Sequence, residues 1–341
     1  MARVEQATKE VVREYLSHCP TVSKEASYWF FRTEGGSLFE PFITTQTIAI
    51  GYPYIRLKTL TGLVMNRESK TVLTKQIKIE DANEERPGLA ARQLLVFTHV
   101  MKEGDYVVIP SPGSHELAIG RITSKPPFEQ KFEFNGIEIP GFAKRRGVHW
   151  LKRVSRESVN PNLYQILYAH QTITDITNCA QWIDSILFGF FRRGDDFHYI
   201  LEVNRADGIN ARELFQACLD IFKLVDDFSS DNEIEGVGAP IETRINLNSP
   251  GEIELITKAA EFIFIAAIVV VGLNGGGLKF SVKKLGIDVN VSTDGLIKKV
   301  SSFLTDKKNR QLSDSVRSKL ETLKVDSPAD ILKLIDRLNK K

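Results

Sequence analysis

The sequence is poor in the residues from which most active sites and cross-linked scaffolds are built. It has three cysteines, Cys19, Cys179 and Cys218, odd in number, far apart and never in a CxxC pair. That argues against a disulfide framework and a cysteine zinc site, and it predicts a reducing, cytoplasmic setting. The six histidines are scattered, with no HExxH. Neither a GxxxxGKS/T phosphate loop nor a GxSxG nucleophile elbow occurs. Charge of one sign is absent too: 45 basic residues against 43 acidic ones leave a formal net charge of +2. A global polycation is excluded, so contact with nucleic acid must come from a local patch. The first 25 residues carry charges throughout and lack the apolar centre of a secretory signal. The spacing of Val4, Val11, Val12 and Leu16 predicts a short amphipathic helix there instead.

A long apolar run is also missing. The longest, Phe262 to Leu273, has twelve residues, and a spanning helix needs about 20. It stretches to 259–278 only by accepting Glu261, Asn274 and further glycines. Two readings stay open: a helix buried in a core or between copies of the chain, and a short anchor in the inner membrane. Phe262, Phe264, Ile268 and Val270 are the candidates for that membrane or oligomer contact.

What is present is an ordinary globular balance, 42% hydrophobic and 26% charged over 341 residues, enough for about two or three domains. Short strands are predicted at Tyr28–Phe31, Thr47–Gly51, Tyr106–Pro110, Leu117–Ile122 and Gly147–Val154, with a helix over Leu89–Val100. The polar stretch from Thr59 to Pro87 shows no clear period. Cys179–Phe191 reads as helix, His198–Val203 as strand and Ala211–Phe228 as helix. On that helix Leu214, Phe215, Cys218, Leu219, Phe222 and Val225 fall on one face. Residues 229–240 are acidic and Gly-rich, a predicted linker. Lys279–Val291 alternates as a hairpin, and Ser327-Pro328 opens a final helix. The expected class is α+β. A helix at 1–25 leads into a small, partly open β-barrel module over 26–176. An α+β middle unit at 177–228 and a linker at 229–243 follow. A helix–hairpin–helix unit over 244–341 closes the chain.

No catalytic set emerges. Glu252-Ile253-Glu254 and Asp195-Asp196 are acids near strands without a lysine at nuclease spacing, and the ordinary reading of such acids is solvated surface. No metal site and no cofactor is expected. The N-terminal half is more specific. Tyr28-Trp29-Phe30-Phe31-Arg32, ending in Gly35-Gly36, is followed by Ile48-Ala49-Ile50-Gly51-Tyr52. Then come Gly104-Asp105-Tyr106-Val107-Val108-Ile109-Pro110 and Ile119-Gly120-Arg121-Ile122, and last Arg145-Arg146-Gly147-Val148-His149-Trp150-Leu151. Taken together this order resembles the N-terminal domain of Mrr-type restriction proteins, and more widely the EVE and PUA-like group, over roughly residues 28–176. The resemblance implies a partly open barrel that binds nucleic acid or a modified base. The nuclease pattern that follows in Mrr-type proteins is absent, so it implies a reader without that catalytic domain.

The residue chemistry is compatible with such a site. Base recognition uses aromatic faces for stacking, donors for base edges and cations for phosphate. Trp29, Tyr52 and Trp150 supply faces; Arg32, Arg121, Arg145 and Arg146 supply donors and charge. Against this, tryptophans in small barrels are most often core. The leading expectation is a non-catalytic sensor of a bacterial defence system, binding nucleic acid, a modified base or a nucleotide and passing the signal to a separate effector protein or through a homo-oligomer. A membrane-associated effector built on 259–278 is the second reading, and a divergent nuclease the third.

Overall fold

The computed structural model describes residues 10, 12–123, 126–204, 210–246, 251–274 and 294–326. The glycine turn at 275–277, the hairpin expected over 279–291 and the helix expected from Ser327 lie outside the described residues. Mixed α+β architecture is observed throughout. Two compact units form: a continuous one, residues 25–187, and one built from 1–24 and 188–341. We call the first the insert and the second the host.

The join explains the division. Thr21–Val22 runs parallel to Phe190–Arg193, with Thr21 opposite Arg192 and Val22 opposite Arg193. Parallel neighbours are not closed by a tight turn; they need a crossover. Here the crossover is a whole folded unit, so the chain leaves and rejoins the host at adjacent strands.

In the insert the strand order is 173–175, 28–31, 106–110, 116–122, 144–155, 47–50. The pair 28–31 and 106–110 is parallel, and the other pairs are antiparallel. The twelve-residue strand Lys144–Ser155 bends the sheet. Its C-terminal part pairs with 116–122 and its N-terminal part with 47–50, so the sheet curls into a half-barrel. A bulge marks the bend: Ile119 faces Lys152 while Gly120 faces Trp150, leaving Leu151 as the extra residue. Gly120 is required there, because a Cβ would lie 2.4 Å from Val148 and 2.7 Å from the Trp150 ring. At Gly36, with φ +101°, a Cβ would likewise lie 2.4 Å from the Pro112 backbone. Phe31, Phe42, Phe97, Val107 and Ile109 lie in the core that fills the curl. The stretch without a clear period is helical: Leu57–Thr61 and Arg67–Glu80, the latter capped by Asn66 accepting from Ser69 N.

In the host, Phe190–Arg193, Asp196–Val203, Gly251–Thr257 and Glu242–Asn246 follow the Thr21–Val22 strand in one sheet, and Val325–Asp326 also pairs with 196–203. The sequence pattern separates 177–228 from 244–341; the structure places 177–187 in the insert and joins 188–228 with 244–341 in the host. Local period shows the strand His198–Val203 but not its pairing with Gly251–Thr257, some fifty residues away. The predicted helix 179–191 is a shorter helix, Ala180–Leu187, followed by strand Phe190–Arg193. The expected linker is partly helix, since Ala211–Asp231 runs past Phe228, and Ile234 is buried.

The Ala211–Asp231 face is also corrected. Leu214, Ala217, Ile221, Leu224, Val225 and Phe228 form the inward stripe, while Phe215 and Leu219 are exposed. One residue of phase separates the two assignments.

Ala260–Asn274 is the host's central helix. Every residue from Glu261 to Leu273 is buried, Phe262, Phe264, Ile268 and Val270 among them, inside the core formed with the sheet and three other helices. A helix apolar all round is one enclosed on all sides. Fifteen residues span about 22 Å, short of the about 30 Å hydrocarbon core. No helix among the described residues is long and apolar enough to cross a membrane. The surface of these four residues is therefore engaged within the host rather than with a membrane or a second copy. Glu261, the one acid of the run, is held by Arg13 Nε at 2.9 Å.

Candidate functional site

The Pro87–Leu95 helix does not stop at Leu95. It widens into a π-turn, Val96–Val100, and carbonyls at such an end need donors from elsewhere. Arg146 supplies them: Nε donates to Phe97 O at 2.7 Å and Nη2 to Thr98 O at 3.1 Å. Its guanidinium also lies over the Phe97 ring at 5.5 Å. Arg146 is 2% exposed. Burial pushes its pKa down to about 10, partly offset by Asp105.

Arg145 is engaged the same way. Its Nε and Nη2 donate to Thr47 Oγ1, its Nη1 donates to Lys131 O, and the Phe132 ring lies 4.8 Å below it. Burial again lowers its pKa. Lys144 completes a row of three consecutive buried cations. Its Nζ donates to Tyr52 O at 2.7 Å, and burial lowers its pKa to about 8. The three are buried together because 47–50 and 128–129 pair with both edges of this strand end.

Trp29 is core as well. Its indole donates to Asp105 Oδ2 at 2.9 Å, and Asp105 also accepts from Ser27 N and Lys102 N. The Gly104-Asp105 motif thus marks a buried acceptor that ties its own turn to the segment 27–29. Trp29, Arg145 and Arg146 serve the fold with the very groups the sequence offers to a ligand.

The remaining sequence candidates stay nearer the surface. Trp150 is half-buried and donates to Phe42 O at 3.0 Å. Arg32 is half-buried with Nη1 donating to Ala169 O, and Arg121 is exposed with Nε donating to Gly104 O at 3.3 Å.

Tyr52 is different in kind. It follows Gly51 at φ +63°, the left-handed region that a tyrosine rarely adopts, at a cost of about 1–2 kcal/mol. Its carbonyl accepts from both Ile55 N and Lys144 Nζ, which fixes the turn. The turn presents two half-buried rings, Tyr52 and Tyr54, edge to face with centroids 6.2 Å apart. Phe142 lies against Gly51. The Tyr54 hydroxyl is buried and has no hydrogen-bond partner among the described residues. Burial and then Asp81 and Glu84 raise its pKa to about 12; burial and then Glu84 raise that of Tyr52. Asp81 and Glu84 escape a reading by motif because they come from the polar stretch without a clear period, and Tyr54 lies just beyond the quoted motif that ends at Tyr52. The signal that could have found them is the turn-forming order Gly51-Tyr52-Pro53-Tyr54.

In the host, His198 Nδ1 lies 2.7 Å from Glu254 Oε1, and its ring stacks on Phe191 at 4.5 Å. Among the described residues no group of three His, Cys, Asp or Glu side chains is arranged to hold a metal. Burial pushes the Cys19 thiol up to about 12, which keeps it protonated and a poor nucleophile.

Residues 31–177 match a family model described as a domain of unknown function (DUF8426). No curated protein and no solved structure matches the chain. The matched segment lies wholly inside the insert, so similarity to that family is a property of the unit that carries the Tyr52–Tyr54 turn.

Proposed function

We propose that the insert is a non-catalytic recognition module for nucleic acid, and that it reads a base at the Tyr52–Tyr54 turn. The observation that carries this is the pair of half-buried tyrosine rings held on strained, doubly anchored backbone beside two carboxylates. Strain of this sort persists where the surroundings enforce it, and it clusters at binding sites. An aromatic face contributes about 1–3 kcal/mol per stacked base. Asp81 and Glu84 accept hydrogen bonds and repel phosphate, so they suit an exocyclic amino group such as that of cytosine. The partly open barrel resembles the EVE and PUA-like group and the N-terminal domain of Mrr-type restriction proteins. That resemblance supports a modified cytosine as the target and a bacterial defence system as the setting. A separate effector protein then supplies catalysis.

The test uses the full chain and labelled oligonucleotides that differ at one position: cytosine, 5-methylcytosine, 5-hydroxymethylcytosine or thymine. A preference for an amino-bearing base is expected. Tyr52→Ala and Tyr54→Ala each reduce that preference by about 5- to 100-fold, the equivalent of one stacking contact. Equal affinity of the unaltered protein for all four would remove the reading.

A further inference from the structure

The helices that follow the turn carry a concentration of unpaired positive charge. From Arg56 to Lys78 there are six cations, Arg56, Lys58, Arg67, Lys70, Lys75 and Lys78, and one acid, Glu68. The net +5 of this short segment exceeds the +2 of the entire chain. All six cations are exposed, and none of their side chains makes an ion pair or hydrogen bond among the described residues.

Helical period sorts them. Ser69, Leu73 and Ile77, four apart, face inward. Arg67, Thr71, Lys75 and Lys78, spaced by four, four and three, line the outward face. This row is about 16 Å long at the helical rise. Its C-terminal end reaches the reading site, since the Tyr54 hydroxyl feels Asp81 and Glu80 at the end of the same helix.

Resting on the base-reading proposal, we infer that this helical face is a docking surface for the phosphodiester backbone of a nucleic-acid strand, so the ligand is a polymer and not a free nucleotide. A single nucleotide needs one or two cations; three along one helical face, with Lys70 also exposed on the same helix, fit a repeating anion. Acids cluster at one end: Glu80, Asp81 and Glu84 act on the Tyr54 hydroxyl, and the cationic face runs back from them along the helix to Arg67. Exposed Val72 and Ile79, at 54% and 82%, flank the row and suit sugar contacts. An interfacial membrane helix turns its main apolar face outward. This helix turns Leu73 and Ile77 inward and its cations outward.

The experiment is anisotropy of the full chain with a labelled single-stranded DNA over a salt series, beside co-sedimentation with phosphatidylserine–phosphatidylcholine vesicles. The variant is Arg67→Glu/Lys75→Glu/Lys78→Glu; the control is Lys307→Glu/Lys308→Glu in the host. The triple variant is expected to weaken DNA binding by about 100-fold near 0.1 M salt. It should flatten the slope of log K against log salt by about two to three, with an unchanged melting temperature. A mononucleotide should fail to displace the DNA, and the control should bind normally.

An unchanged slope in the triple variant, displacement by the mononucleotide, or vesicle binding in place of DNA binding would overturn the proposal. The base reading fails separately: Tyr52→Ala then leaves base preference intact while the triple variant still loses affinity.

Discussion

Two basic stretches of the insert meet opposite fates. Lys144-Arg145-Arg146 is the denser and stands near Trp150, yet its members are only 2%, 5% and 2% exposed. The six cations between Arg56 and Lys78 are diluted through 23 residues and are all exposed. The difference follows from period. Successive residues of a strand point to opposite faces, so three adjacent charges do not share one surface. When both edges of that strand are also paired, all three are enclosed and need internal acceptors: Tyr52 O, Thr47 Oγ1, Lys131 O, Phe97 O and Thr98 O. On a helix, charges three and four apart converge on one face. A cluster in sequence is therefore no guide to a patch in space until the element is known.

Breaking the buried set should cost the most stability. Arg146→Ala strips the donors from two helix-end carbonyls and leaves a hole beside Phe97. We expect about 3 kcal/mol of destabilisation, a melting temperature lower by about 6–12 °C. Arg146→Lys should recover only part, because a single ammonium does not reproduce the planar fork. Unchanged melting together with lost DNA binding would instead make Arg146 a ligand group.

Lys144 gives the next effect, and a pH dependence with a definite sign. Its folded pKa, about 8, lies below the unfolded value of 10.5. Between those values the unfolded chain holds a proton that the folded chain has released, so this group makes stability rise with pH. The rise is at most about 3 kcal/mol from pH 8 to 10.5. Lys144→Met should lack this rise when urea unfolding is compared at pH 7.5 and 9.5. Parallel curves for the two proteins would show that Lys144 is not perturbed.

Tyr52→Gly should be milder still. It relieves the left-handed backbone by about 1 kcal/mol and loses some ring packing. The melting temperature should move by no more than a few degrees while base preference disappears, separating site from scaffold. The Arg67/Lys75/Lys78 charge reversal should have the smallest effect on stability, within about 0.5 kcal/mol, despite its large effect on binding.

Much of the insert was legible because its strands are short, apolar and bounded by turn residues: Tyr106–Pro110 occurs as its pattern predicts. The twelve-residue apolar run was legible as a helix, and its full enclosure follows from apolar residues on every side. The insertion was not legible, because it rests on one pair of parallel strands nearly 170 residues apart. Among the candidate site residues, Tyr52 stands on a strained turn with its ring only half-buried, which is why the proposed reading site rests on it. Trp29, Arg145 and Arg146 did not, because the acceptors that engage them, Asp105, Thr47, Phe97 and Thr98, come from distant segments or from a π-turn that no local pattern announces.

The most direct measurement is the affinity of the full, unaltered chain for a labelled single-stranded DNA as salt is raised. If the exposed helical face takes the strand, log K falls linearly with log salt, with a slope of about −2 to −4 from three to six phosphate contacts. Absence of binding at the lowest salt, or binding indifferent to salt, would contradict the account.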